Sequence, residues 1–300
     1  MSLGGGDEAT MSDDPIPAVS EADARGDVHR LFEDIRQVLG VPVVNLIFRH
    51  LATLPGCLGW SWGVLRPLYA SGQVADAADR LGTSLPLPTV GPGSRESLRR
   101  DGVDAGGERA IGRILDSYNR SNAMNLVALT GFLDWLRSGA ASGPALADAE
   151  PASRPAPRDS AGGERLPPLL SLEDMDEGTR ALVLELNTFG ERGDGHVLAS
   201  MYRHLAHWPG YLGLAAGLLR PLDANGALER LADDALRGAR REARRLGPWV
   251  APRDLPAPMN ATRDALRYAL DAFTSNTIAK MVPIARLLRA ALPTAPDDVS

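Results

Sequence analysis

A single cysteine, Cys57, is the first scarcity that matters. It excludes an internal disulfide and any metal site built from several cysteines. Lysine is equally scarce: Lys280 stands alone, and arginine supplies the other positive charges. Net charge is −6 at pH 7, which argues against a general nucleic-acid binder. No run of about 18 uninterrupted apolar residues occurs, so no membrane span is expected. The N-terminus, MSLGGGDEATMSDDPIPAVSEADARGD, is acidic and glycine-rich. It has neither the apolar core of a signal peptide nor the acid-poor character of a transit peptide, so a cytoplasmic location is expected. Aromatics are few, at 5%, yet hydrophobic residues reach 44%, an ordinary globular share.

What the chain does contain is one passage written twice. Residues 49–72 and 203–226 share 15 of 24 positions without a gap, 154 apart, including Arg49/Arg203, His50/His204, Pro55/Pro209, Gly56/Gly210 and Pro67/Pro221. The pair Ser121–Asn122 recurs in the same register as Ser275–Asn276. Two copies of so long a unit read as a duplicated domain rather than a solenoid. The expected layout is a disordered N-terminus over 1–26, a helical repeat over 27–138, an Ala/Pro/Gly/Ser-rich linker over 139–170, a second helical repeat over 171–292 and a tail over 293–300. Helical spacing of Val28, Leu31, Phe32, Ile35 and Leu39 predicts a helix, Pro42 suits the first turn of another, and Pro67 and Pro221 are expected to kink or end theirs. Ser94, and Ser171 with Asp174, read as helix caps. Long last helices are expected near 107–137 and 259–291. No alternating strand pattern appears. The fold is therefore read as all-α, two homologous helical repeats packed as a pseudo-dimer about a pseudo-twofold axis, with a cleft between them.

Positions that match between copies favour architecture; positions that differ favour specialisation. Arg49/His50 and Arg203/His204 match, and read first as packed helix residues. His204 could also act as a base, with Ser200 one turn earlier on the same face. Ser200 replaces Leu46 of the first copy, so it breaks the symmetry. Asn119 stands opposite Phe273 and is read as a polar cleft residue, whereas Asn122 and Asn276 match and read as structural. Asp194, between glycines, reads as a helix cap or a loop carboxylate facing the cleft. Trp60, Trp62 and Trp208 read as core or pocket lining, and the arginines of 237–245 as a solvated face.

The segments VPVVN…RHLATLPGCL, YNRSN and SMYRHLAHWPGYL resemble those of the DehI-type (group I) 2-haloacid dehalogenases, and the likeness extends to the two-copy layout. The resemblance implies hydrolysis of small 2-halocarboxylic acids by water that an Asp activates, with no metal or organic cofactor. It implies a small carboxylate as partner, and the family analogy extends to a homodimer. Carried over by position, Asn119 matches the water-positioning asparagine, and Ser200 the serine before the catalytic Asp. That Asp falls on Met201. Pocket aromatics fall on Val43 and Leu46, and a late tyrosine near Leu270, with Tyr268 and Phe273 close by. Methionine cannot take a proton from water, so Asp194 and His204 are the candidate replacements. The alternative is a catalytically diverged member that binds a small carboxylate or an apolar ligand in the cleft between the repeats, or acts on a different substrate. A redox reading of the helical AhpD-like kind would need a cysteine pair, which Cys57 does not supply.

Overall fold

The structure, a computed structural model, describes residues 16–138, 166–191, 197–252 and 254–293. Among them are twelve α-helices and no strand: α1 Gly26–Leu39, α2 Leu46–Leu51, α3 Cys57–Ala70, α4 Gln73–Ser84, α5 Arg95–Arg100, α6 Ala105–Ser138, α7 Glu177–Thr188, α8 Ser200–Leu205, α9 Pro209–Ala224, α10 Ala227–Ala243, α11 Asn260–Ala272 and α12 Ile278–Ala290. A π turn, Phe273–Thr277, joins α11 to α12. Moving α2 and α4 forward by 154 positions lands on the first residues of α8 and α10, and moving α6 lands on α11, the π turn and α12.

Local chemistry explains the boundaries. The Ser94 side chain accepts from Ser97 N and starts α5. Asp176, not Ser171, caps α7 by accepting from Thr179 N, while Ser171 and Asp174 close a turn just ahead of it. Pro42 likewise lies four residues before α2 rather than in its first turn. Pro67 and Pro221 are expected to kink or end their helices; they do not end them, since α3 and α9 run past. In each, the residue four earlier, where a proline ring presses on the carbonyl, is a glycine, Gly63 or Gly217, whose backbone yields most easily.

Two hydrophobic cores form. The first gathers α1–α4, the later half of α6 from Ala123 onward, much of α10, and Leu266, Leu270 and Phe273. The second gathers α7–α9, most of α12, and the early half of α6 through Ile111, Ile114, Leu115 and Tyr118. Each long C-terminal helix thus begins against one core and ends in the other. At 34 residues α6 is about 51 Å long, enough to serve both.

Two stretches expected to lie outside the fold are part of it. Ile16, Ala18 and Val19 pack on the first core, Val19 N donates to Arg49 O at 3.1 Å, and His50 Nδ1 meets Pro17 O at 2.7 Å. Leu166 and Leu170 pack on the second, where Arg203 Nε donates to Leu170 O at 2.6 Å. No described helix is long and apolar enough to cross a membrane.

Candidate functional site

The first residues of α2 and α8 face one another across a cavity of about 40 Å³. Asn45, Leu46 and Ile47 line one side, and Ala199, Ser200 and Met201, the same positions of the second copy, line the other. Tyr118 and Asn122 of α6 and Phe273 and Thr277 of the π turn close it. A π turn widens a helix by one residue and commonly marks a functional site. The side chains of Thr274 and Ser275 donate to the Leu270 and Asp271 carbonyls, at 2.7 and 2.6 Å, and supply partners that the widened backbone lacks. The matching stretch of α6 continues as regular helix.

Hydrogen bonds run along the wall. Arg49 Nη2 donates to Ser200 Oγ at 3.1 Å. Ser200 and Tyr118 line the cavity together. Tyr118 Oη lies 2.8 Å from His204 Nδ1. Burial holds His204 down to about 3, and the basic neighbours His207, Arg49 and Arg203 push the same way. The imidazole is therefore neutral near pH 7 and free to accept the phenolic proton. Burial pushes the Tyr118 phenol up, so it keeps that proton as a donor. Opposite, Asn45 Nδ2 donates to Ser121 Oγ at 3.0 Å, while its Oδ1 is buried with no partner. The approach to α8 is clamped by Asn187, which accepts from Ala199 N at 3.0 Å and donates to Val197 O at 3.2 Å. Lys280, 1% exposed, in turn donates to the Asn187 carbonyl and lies 3.7 Å from Glu191.

The sequence-predicted residues divide. Ser200, Met201, Leu46 and Phe273 line the cavity, and His204 reaches it through Tyr118. Leu270 is buried in the first core and Val43 packs on the second, so neither lines it. Tyr268 is 79% exposed on α11 and is corrected from pocket residue to surface residue. Asp194 lies outside the described residues. Asn119 lines a different cleft, between α4, α6 and α12, whereas Asn122, read as structural, faces the cavity. Asn45 and Tyr118 were missed; the only signal for Tyr118 is its place one turn before Asn122. Among the described residues no group of three or more His, Cys, Asp or Glu side chains is placed to hold a metal ion.

No protein-family model matches the chain. A configuration-inverting 2-haloacid dehalogenase from Alcaligenes xylosoxydans xylosoxydans is 28% identical over 196 residues, 65% of this chain and 64% of the relative. An (R)-2-haloacid dehalogenase from Pseudomonas putida is 28% identical over 132 residues, 42% of this chain and 39% of the relative. The matches thus span less than two thirds of either curated relative. In fold, the chain is similar to a D-2-haloacid dehalogenase mutant in complex with D-2-CPA, with a TM-score of 0.65 at 20% identity over 94% of this chain and 97% of the other. The structure of a D-2-haloacid dehalogenase with L-LA matches equally, over 98% of its length. Both curated relatives are 2-haloacid dehalogenases, and the chain shares the fold of a D-2-haloacid dehalogenase.

Proposed function

We propose that the cavity between α2 and α8 is where this protein hydrolyses a small 2-halocarboxylic acid. The observation that carries this reading is the pair Tyr118–His204, 2.8 Å apart at the wall, which offers a route for a proton out of the cavity. Asn45 Oδ1, a buried acceptor without a partner, suits a water, and about 40 Å³ admits about three. That water attacks the halogen-bearing carbon as the carbon–halogen bond breaks and halide leaves. Its proton passes to the Tyr118 oxygen while the phenolic proton moves to His204 Nδ1, leaving a 2-hydroxy acid. Burial keeps the imidazole neutral, so its Nδ1 is available to take that proton. Leu46, Met201 and Met281 line the space, and the two unbranched methionines adapt most readily to an arriving substrate. The pairing of α2 with α8 at equal register supports packing of the repeats about a pseudo-twofold axis through the cavity.

Halide release from racemic 2-chloropropionate tests the reading. Tyr118→Phe and His204→Gln should each slow it by about a hundredfold or more, the usual worth of general base assistance. Release that both variants leave unchanged would overturn it.

A second reading rests on Met201. It is 1% exposed, it stands where the family resemblance puts the catalytic Asp, and no carboxylate lines the cavity among the described residues. On this reading the protein binds a small carboxylate without hydrolysing it. Thermal stabilisation by 2-chloropropionate, with no halide released, would select it.

A further inference from the structure

The cleft that holds Asn119 is far larger than the cavity above. It spans about 590 Å³ between α4, α6 and α12, within the range of small-molecule sites. We propose that it is a second ligand site, which takes a carboxylate with an apolar tail and anchors it on Arg286.

Two polar groups there lack partners. Arg286 Nε and Asn119 Oδ1 are both buried with no hydrogen bond, a state that folded proteins seldom leave uncompensated. The Arg286 guanidinium is seated by a missing side chain: a Cβ at Gly82 would lie 1.7 Å from Nη2. The charges facing the cleft are Arg120, Arg286 and Arg289 against Asp79 and Asp116. Three against two leaves one positive charge. Arg289 is committed to Asp116 at 2.7 Å, and Arg120 Nε to the Leu39 carbonyl at 2.7 Å. Arg286 has only the longer-range field of Asp79, so its planar fork remains for a carboxylate. Leu87, Met124 and Leu292 supply an apolar floor for the tail.

The other copy fills the matching positions with rings. The positions 154 before Arg286 and Arg289 are Phe132 and Trp135, which stack on each other at 5.9 Å. Trp249 stacks on Phe132 at 6.4 Å, in space that Gly131 leaves open. One half is plugged with rings; the other keeps arginines around open volume.

The test uses octanoate and the full chain with ¹³C-methyl methionine. Met124 lines the cleft, whereas Met201 and Met281 line the smaller cavity. Octanoate should shift the Met124 methyl signal and leave the other two in place, and Arg286→Gln should weaken binding at least about tenfold. Acetate, which has no tail, should bind more weakly. No shift at Met124 up to about 10 mM octanoate, or shifts confined to Met201 and Met281, would overturn the proposal. The methyl signals of the unmodified chain decide the site even if Arg286→Gln does not fold. Hydrolysis is not needed for either outcome, so failure here is separate from failure at the smaller cavity.

Discussion

Arg49 of α2 and Ser200 of α8, 151 positions apart, meet in a buried hydrogen bond of 3.1 Å. The bond joins the two faces of the cavity, and its donor is charged. Ser200→Ala should destabilise by about 1.5–3 kcal/mol, the usual worth of a hydrogen bond to a charged group. In a double-mutant cycle with Arg49→Met, urea unfolding should show coupling above about 0.5 kcal/mol. Simple additivity would mean that the contact contributes nothing.

His204 makes stability depend on pH. Its folded value of about 3 lies below the ordinary 6.5, so the unfolded chain binds the extra proton first as pH falls. Stability should therefore be complete above about pH 6.5 and decline toward pH 3, by at most about 1.4 kcal/mol per unit from this group. His204→Gln should flatten the decline across that window, as followed by unfolding at a series of pH values. Tyr118, His207, Arg49 and Arg203 remain in both proteins, so the difference isolates His204.

Met201→Asp places a carboxylate where the family resemblance expects one. Burial at 1% exposure should cost about 1–3 kcal/mol of stability. If Met201 is what holds hydrolysis down, halide release should rise at least about tenfold despite that cost. An unchanged rate in a folded variant would remove Met201 as the limiting residue.

The matched glycines Gly56 and Gly210 should respond unequally to alanine. Gly56 needs a left-handed φ of 73° with open space around it, so Gly56→Ala should cost about 1–2 kcal/mol in strain. A Cβ at Gly210 would sit 1.7 Å from the Asp101 carbonyl oxygen, so backbone must move. Gly210→Ala should lower the melting temperature further than Gly56→Ala, which calorimetry resolves.

The architecture was legible where its signals are local. Proline–glycine pairs and apolar spacing recur at 154 positions, and α2, α4 and α6 fall in register with their partners. Rotation of a helix about its axis was not legible. Tyr118 and Asn122 share one face of α6 and point to the cavity, while Asn119 and Ala123, about 100° around, turn to the other cleft. The matched asparagine Asn122, read as architectural, lines the smaller cavity, and the unmatched Asn119, read as a cleft residue, lines the larger cleft. The π turn was equally hidden, because one widened turn hardly alters the apolar pattern between Leu270 and Ile278. Positional transfer misplaced Val43 and Leu270 because it follows sequence order, not the direction of the side chain.

The exchange of the two long C-terminal helices carries a consequence for how this protein can be divided. Severing the chain between residues 138 and 166 would yield fragments that each take away a wall belonging to the other. Each fragment expressed alone should therefore fold poorly, and mixing the two should restore helical structure, as circular dichroism would show.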